Sequence, residues 1–194
     1  MLFVFFTPTA QHYQTETPSL SILKENRGCL MVNWMMTSPH NMLSESRILL
    51  VDDNAININV LEDILRKAGH CSIDSCTNPF AVRELYGQHK HDIVLLDIHM
   101  PGLSGIEVMA QIKEDHPDEY LPVLVLTADT APDMRRLALN SGARDFIAKP
   151  FDKAEVLLRV SNILLVQWLR KQVQELEQQL ASCQNLIPLT QESA

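Results

Sequence analysis

No stretch of this sequence stays apolar for the roughly 18 residues that a helix needs to cross a bilayer, so nothing in it reads as a membrane span. Positive charge is in short supply: 16 Lys and Arg stand against 24 Asp and Glu, a formal net charge of -8. That balance works against general attraction to nucleic acid or to anionic membranes. No helix-turn-helix pattern and no basic recognition helix is present, so DNA binding is not expected. Cysteine is sparse as well. The 4 cysteines, Cys29, Cys71, Cys76 and Cys183, share no paired metal spacing and form no dense disulfide framework. Cys71 and Cys76 fall on a predicted strand and the turn after it, where burial as small hydrophobes is expected. The opening Met1 to Phe6 is apolar but short, without a basic flank or a small-residue cleavage site, and does not read as a signal peptide. The cytoplasm is the expected compartment.

What is there is an ordinary globular composition, 46% hydrophobic and 21% charged over 194 residues, enough for one good domain with extras. Residues 1–45 scatter Thr, Ser, Pro and Gln without a period and read as an unstructured leader. Met31, Met35, Met36 and Met42 leave room for a later start of translation. From Arg47 the texture changes to apolar runs alternating with amphipathic helices. "RILLVD" predicts a strand. The segment after it places Ile56, Val60, Leu61, Ile64, Leu65 and Ala68 at helical spacing and stops at Gly69. "CSIDSC" is a weaker strand, and the next helix starts with Asn78 as N-cap and Pro79 in its first turn. "DIVLLD" and "LPVLVLT" are near-continuous apolar strands, as strands buried on both faces should be. Each leads into a helix, the second of which ends just before Gly142. "ARDFIA" predicts a last strand, and a helix opens with Asp152 and Glu155 in capping-box spacing. Alternation of this kind calls for an α/β fold, a parallel sheet with helices on both faces. The five-stranded doubly wound order 2-1-3-4-5, flavodoxin-like, is the specific expectation, over residues 46–165.

In such sheets the functional crevice lies outside the carboxyl ends of the strands, so what each strand delivers at its exit matters. The first delivers Asp52 and Asp53, the third Asp97, the fourth Thr127, and the fifth Lys149 followed by Pro150. Clustered carboxylates repel unless compensated, and a hard divalent cation such as Mg²⁺ resolves the conflict with carboxylate, water and phosphate oxygens. Asp53 and Asp97 are the expected direct ligands, Asp52 acts through a water, and the backbone carbonyl of His99 is a third protein oxygen. Asp97 can serve as a carboxylate nucleophile, while the cation and Lys149 neutralise charge on the transferred phosphoryl group and Thr127 donates to it. Taken singly, each residue has a plainer reading. Asp52 and Asp53 could be acids favoured by a helix dipole, Thr127 a β-branched strand residue, and Lys149 a surface lysine. Convergence on one crevice is what promotes them. His12, His40, His70, His89, His91 and His116 share no spacing and are not expected to be catalytic.

At "LLVDDN", "LLDIHMPGLSG", "LTA" and "GARDFIAKPF" the chain resembles the response-regulator receiver domain of two-component signalling, over about Arg47 to Leu165. The resemblance implies phosphorylation of Asp97 by the phosphohistidine of a sensor histidine kinase or phosphotransfer protein, with Asp52 and Asp53 in the metal pocket. It also implies that Thr127 and Phe146 form a switch pair, that Lys149 contacts the phosphoryl group, and that the Lys149–Pro150 peptide is cis. On this reading the domain is a phosphoacceptor switch that catalyses only its own phosphotransfer and dephosphorylation. Two rivals stand beside it. A phosphohydrolase with an aspartyl nucleophile would need a second carboxylate two residues after the nucleophile on the first strand, where position 54 is Asn. A pseudo-receiver would keep the fold as a dimerising scaffold and ignore phosphate.

The last helix is expected to run past Leu165. Val166, Leu169, Val173, Leu176, Leu180, Cys183 and Ile187 alternate spacings of three and four, the seam of a coiled coil, over residues 166–187 until Pro188. A parallel homodimer is expected, followed by a disordered tail over 188–194. A single amphipathic helix folded back on its own domain is the alternative. With no second catalytic motif in view, the output is either a partner protein or an effector domain that this chain lacks.

Overall fold

The computed structural model describes residues 45–117, 120, 122–129 and 131–184. The leader expected over 1–45, apart from Glu45, and the tail over 188–194 lie outside them. Strands β1 (Arg47–Val51), β2 (Ser72–Cys76), β3 (Ile93–Asp97), β4 (Val123–Thr127) and β5 (Asp145–Ala148) form one 5-stranded sheet in the order β2-β1-β3-β4-β5. Every pairing in it is parallel. Helices α1 (Ala55–Lys67), α2 (Val82–Gln88, entered through a short 3₁₀ turn at Pro79–Ala81), α3 (Gly105–Asp115), α4 (Pro132–Asn140) and α5 (Lys153–Gln184) supply the crossovers. The doubly wound α/β architecture matches the sequence expectation.

Because side chains alternate along a strand, the sheet divides its apolar residues between two cores. Leu49, Val51, Val94, Leu96, Val123 and Val125 pack with Val82, Tyr86, Val108, Met109, Ile112 and Ala138, from α2, α3 and α4. Ile48, Leu50, Leu95, Leu126 and Ile147 pack on the opposite face against α1 and the first part of α5. The central strands β3 and β4 are buried at every position. The edge strand β2, with its Ser and Asp residues, is only half-covered.

Local signals set the helix ends. The Asn54 side chain accepts from the Ile56 amide at 2.9 Å to start α1, and Asn78 does the same for the 3₁₀ turn. Ser104 and Glu107 form a complete capping box on α3. Gly142 takes φ +110° just past α4, a left-handed conformation that closes a helix cheaply only without a Cβ. At α5 only half of the expected box forms. Asp152 accepts from the Glu155 amide at 2.8 Å, but the Glu155 carboxylate turns to Arg159 at 2.8 Å.

Two readings of individual residues need correction. Helix α1 buries Ile58, Leu61, Ile64 and Leu65, while Ile56 and Val60 are exposed. The helix carries apolar residues on more than one side, and contact with the sheet selects the face that Ile58 shares with Leu61 and Leu65. Cys71 is exposed and Cys76 only half-buried; both sit at the ends of an edge strand, where covering by helices is thinnest.

His91, two residues before β3, is buried. Its Nε2 lies 2.9 Å from an Asp74 carboxylate oxygen and its ring stacks on Tyr86, yet among the described residues Nδ1 has no hydrogen-bond partner. Burial pushes the imidazole pKa below its usual 6.5, outweighing the pull of Asp74. The unfolded chain therefore takes up the proton first as pH falls, and stability is lost below about pH 6.5. The melting temperature should drop between neutral and mildly acidic pH, and His91→Phe, which can keep the ring stacking, should flatten that slope. Equal slopes for the two proteins would show that His91 does not carry the effect.

Candidate functional site

The exits of β1, β3 and β5 bring three carboxylates and one ammonium together. Asp52, Asp53 and Asp97 each offer an oxygen within 4.8 Å of the others. Lys149 Nζ sits 2.7 Å from Asp52 Oδ2 and 2.9 Å from Asp97 Oδ2, bridging strands that stand apart in the sheet. Asp52 is fully buried, Asp97 is 3% exposed and Asp53 is open to solvent. The pocket thus has a closed floor and one accessible acidic rim.

Each carboxylate is held by its own local structure. Asp52 accepts from the Asn54 amide at 2.9 Å and from Asn57 Nδ2 at 3.0 Å to both oxygens. Asn57, in the first turn of α1, is a positioning residue that the sequence reading missed, because no local pattern marks it. Asp97 Oδ1 faces the His99 amide at 3.4 Å. Behind it, α3 begins almost on top of the strand end. A Cβ on Gly105 would lie 2.2 Å from the Asp97 carbonyl oxygen, and the Gly105 amide donates to the Ile98 carbonyl at 3.0 Å. Only glycine permits that approach, so the loop from Ile98 to Ser104 stays tight beneath the carboxylate.

Burial pushes the Asp97 pKa above the usual carboxylate range, more than Lys149 pulls it down. For Lys149, burial alone would lower the pKa, but hydrogen bonds to Asp52 and Asp97 together raise it, so the ammonium is secure. One ammonium among three carboxylates leaves an excess of negative charge and a set of hard oxygen donors, which is what a divalent cation such as Mg²⁺ requires. The residues fit such an ion.

Thr127 and Phe146 are engaged with other partners. The Thr127 hydroxyl is buried and engaged with its own loop, accepting from the Asp129 amide at 3.0 Å and donating to the Asp129 carbonyl at 3.2 Å. Phe146 is half-buried, with the Arg135 guanidinium 4.1 Å from its ring centroid and that of Arg159 at 5.8 Å. Arg135 was not singled out from sequence, because nothing in its spacing points to β5. His99 is an exposed loop residue. The Lys149–Pro150 peptide is cis. Asn54, at the position where a phosphohydrolase would need a carboxylate, is occupied in capping α1.

An acidic pocket at the carboxyl edge of a 2-1-3-4-5 sheet, with a lysine from the last strand, places the molecule among doubly wound proteins that act at their strand exits. The particular family follows from comparison. The response regulator receiver domain model matches residues 48–161, more than half of the chain, and the chain belongs to that family. It is 37% identical over 114 residues to the sensory/regulatory protein RpfC of Xanthomonas campestris, a match covering 57% of this chain and 15% of RpfC. To the protein PilH of Pseudomonas aeruginosa it is 35% identical over 120 residues, covering 62% of this chain and 98% of PilH. In the crystal structure of the CheX-CheY-BeF3-Mg²⁺ complex from Borrelia burgdorferi, the matched chain is 32% identical with a TM-score of 0.57. That match covers 61% of this chain and 88% of the other. The chain thus spans nearly all of PilH and a small part of RpfC. Receiver domains are phosphoacceptor switches that bind Mg²⁺ at an acidic pocket, and in this chain Asp52, Asp53 and Asp97 form an acidic cluster at the carboxyl edge of the sheet.

Gly105→Ala tests the tightness of this arrangement. A methyl 2.2 Å from a backbone oxygen must push α3 or the end of β3 aside, at a cost of about 2 kcal/mol or more. Thermal unfolding should register the loss. Gly87→Ala, where nothing lies within 4 Å of the added carbon, should not destabilise.

Proposed function

We propose that the chain is a phosphorylation-dependent response regulator in which Asp97 accepts a phosphoryl group from the phosphohistidine of a sensor histidine kinase or phosphotransfer protein. The receiver unit takes in residues 46–165, and the helix from 166 extends it. The observation that carries the reading is the Asp97 carboxylate, buried against Lys149 Nζ at 2.9 Å with Asp52 and Asp53 at its side.

In the transfer, a carboxylate oxygen of Asp97 forms the new O–P bond while the N–P bond of the donor breaks, and the departing imidazole takes up a proton. Asp53, Asp97 and the His99 carbonyl, with Asp52 acting through water, would hold Mg²⁺, which supplies charge neutralisation on the phosphoryl oxygens. Lys149 already sits beside the attacking carboxylate and adds its own positive charge there. Its ammonium lowers the Asp97 pKa and so works against the rise that burial causes. Thr127 would leave its turn with Asp129 to donate to a phosphoryl oxygen. Phe146 would then repack beneath Arg135, shifting the population of α4 and β5 arrangements read by a downstream partner. Hydrolysis of the acyl phosphate resets the switch, with His99 and Asp129 flanking the route by which water enters.

Incubation with Mg²⁺ and a small acyl phosphate, followed by intact-mass measurement, tests the assignment. The wild-type chain should gain the mass of one phosphoryl group. Asp97→Asn should gain none, and chelation of the cation should abolish the adduct on wild type. An adduct on Asp97→Asn, or none on wild type with Mg²⁺ present, would contradict it.

A further inference from the structure

Helix α5 does not end where the sheet no longer needs it. It runs unbroken from Lys153 to Gln184, 32 residues, about 48 Å at 1.5 Å per residue. Its first part, through Val156, Val160, Ile163 and Leu164, is buried in the core. Beyond Leu165 the helix has two distinct sides.

One side is already occupied by the chain's own domain. The Lys171 ammonium pairs with Asp92 at the start of β3. The Arg170 guanidinium lies 4.1 Å from the Tyr120 ring centroid, and Arg144 lies at the same distance from that ring. Gln167, Trp168 and Lys171 share a cleft with Ser46 and Asp92. These contacts fix the rotation of the helix about its axis. The opposite side carries Val166, Leu169, Val173, Leu176 and Leu180, each between 46% and 64% exposed. The alternative in which the apolar stripe folds back on its own domain therefore does not describe the molecule, because the domain touches the polar side.

We propose that this stripe pairs with the same stripe of a second copy of the chain in a parallel two-stranded coiled coil. Three features choose that occupant. Spacings of three and four in strict alternation repeat every 3.5 residues on average, a period that fits another helix wound on the same repeat and not a flat sheet or a single groove. With Val166 in the first core position of the heptad, β-branched Val166 and Val173 fall at a, followed by Leu180, and Leu169 and Leu176 fall at d. That is the distribution that favours two parallel strands. In the flanking positions the interchain neighbours would be Leu165 with Arg170 and Gln172 with Glu177, so no like charges meet.

The stripe is modest. Its half-exposed side chains from both helices would bury on the order of 1,000 Å², the low end for a specific interface. We take the dimer to be weak and dependent on concentration, with the two receiver units side by side at the same end of the coil. The sequence pattern continues to Cys183 and Ile187, whose side chains lie outside the described residues.

Sedimentation velocity of the full chain across micromolar concentrations should show a monomer–dimer equilibrium. Leu169→Glu with Leu176→Glu, both exposed and remote from the core, should leave a monomer whose melting temperature matches that of the wild-type chain at concentrations where it too is monomeric. In a background with the four native cysteines replaced by serine, Val173→Cys should give an interchain disulfide on mild oxidation, and Gln178→Cys, on the outer side, should not. A chain monomeric throughout that range, a dimer that survives the double glutamate variant, or linkage that fails between two copies of residue 173 would each overturn the proposal. None of these results depends on phosphorylation of Asp97.

Discussion

One lysine holds the site in its observed form. The Lys149 ammonium reaches across from β5 to Asp52 on β1 and Asp97 on β3, and without it two buried carboxylates would face each other uncompensated. Burial of such a pair costs several kcal/mol unless the charges are partnered. The bridge leaves Asp53 and the remaining carboxylate oxygens with no protein cation among the described ion pairs. The same contact that stabilises the pocket therefore leaves it short of positive charge. A second cation and an anionic group would enter as complementary partners.

The fold exists to make that bridge possible. Strands β1, β3 and β4 are apolar and adjacent, so their exits lie side by side at one edge of the sheet. Tight turns then deliver polar groups there without lengthening the strands. Asn54 starts α1 immediately after the acidic pair, Gly105 lets α3 start against the backbone of Asp97, and the loop after Thr127 is tied by its own hydroxyl. Substitutions deep in the sheet would act on the site only indirectly, by moving these exits.

Much of this was legible in the sequence. The strand exits Asp52, Asp53, Asp97 and Lys149 could be named because a parallel sheet obliges consecutive strand ends to converge, and periodicity was enough to place the strands. What escaped was whatever depends on contact between elements distant in sequence. The buried face of α1 was misjudged because Ile56 and Val60 look like any apolar pair at helical spacing until the sheet chooses another side. Asn57 and Arg135 carry no local pattern, since their partners Asp52 and Phe146 are selected by packing. Thr127 was expected to face a phosphoryl group, but its hydroxyl is engaged with Asp129, a contact that sequence gives no means of seeing. The seam beyond Leu165 was visible as a heptad pattern, but which side of that helix its own domain would occupy was not.

The account rests on acidic groups from separate strands acting as one cation site. Titration of the chain with Mg²⁺, followed by two-dimensional amide NMR, examines this most directly. Shifts should concentrate at Asp52, Asp53, Asp97, His99 and Lys149 and saturate together with a single affinity, and Asp53→Asn should weaken them all. Shifts that are absent, or that centre on another part of the fold, would contradict the account.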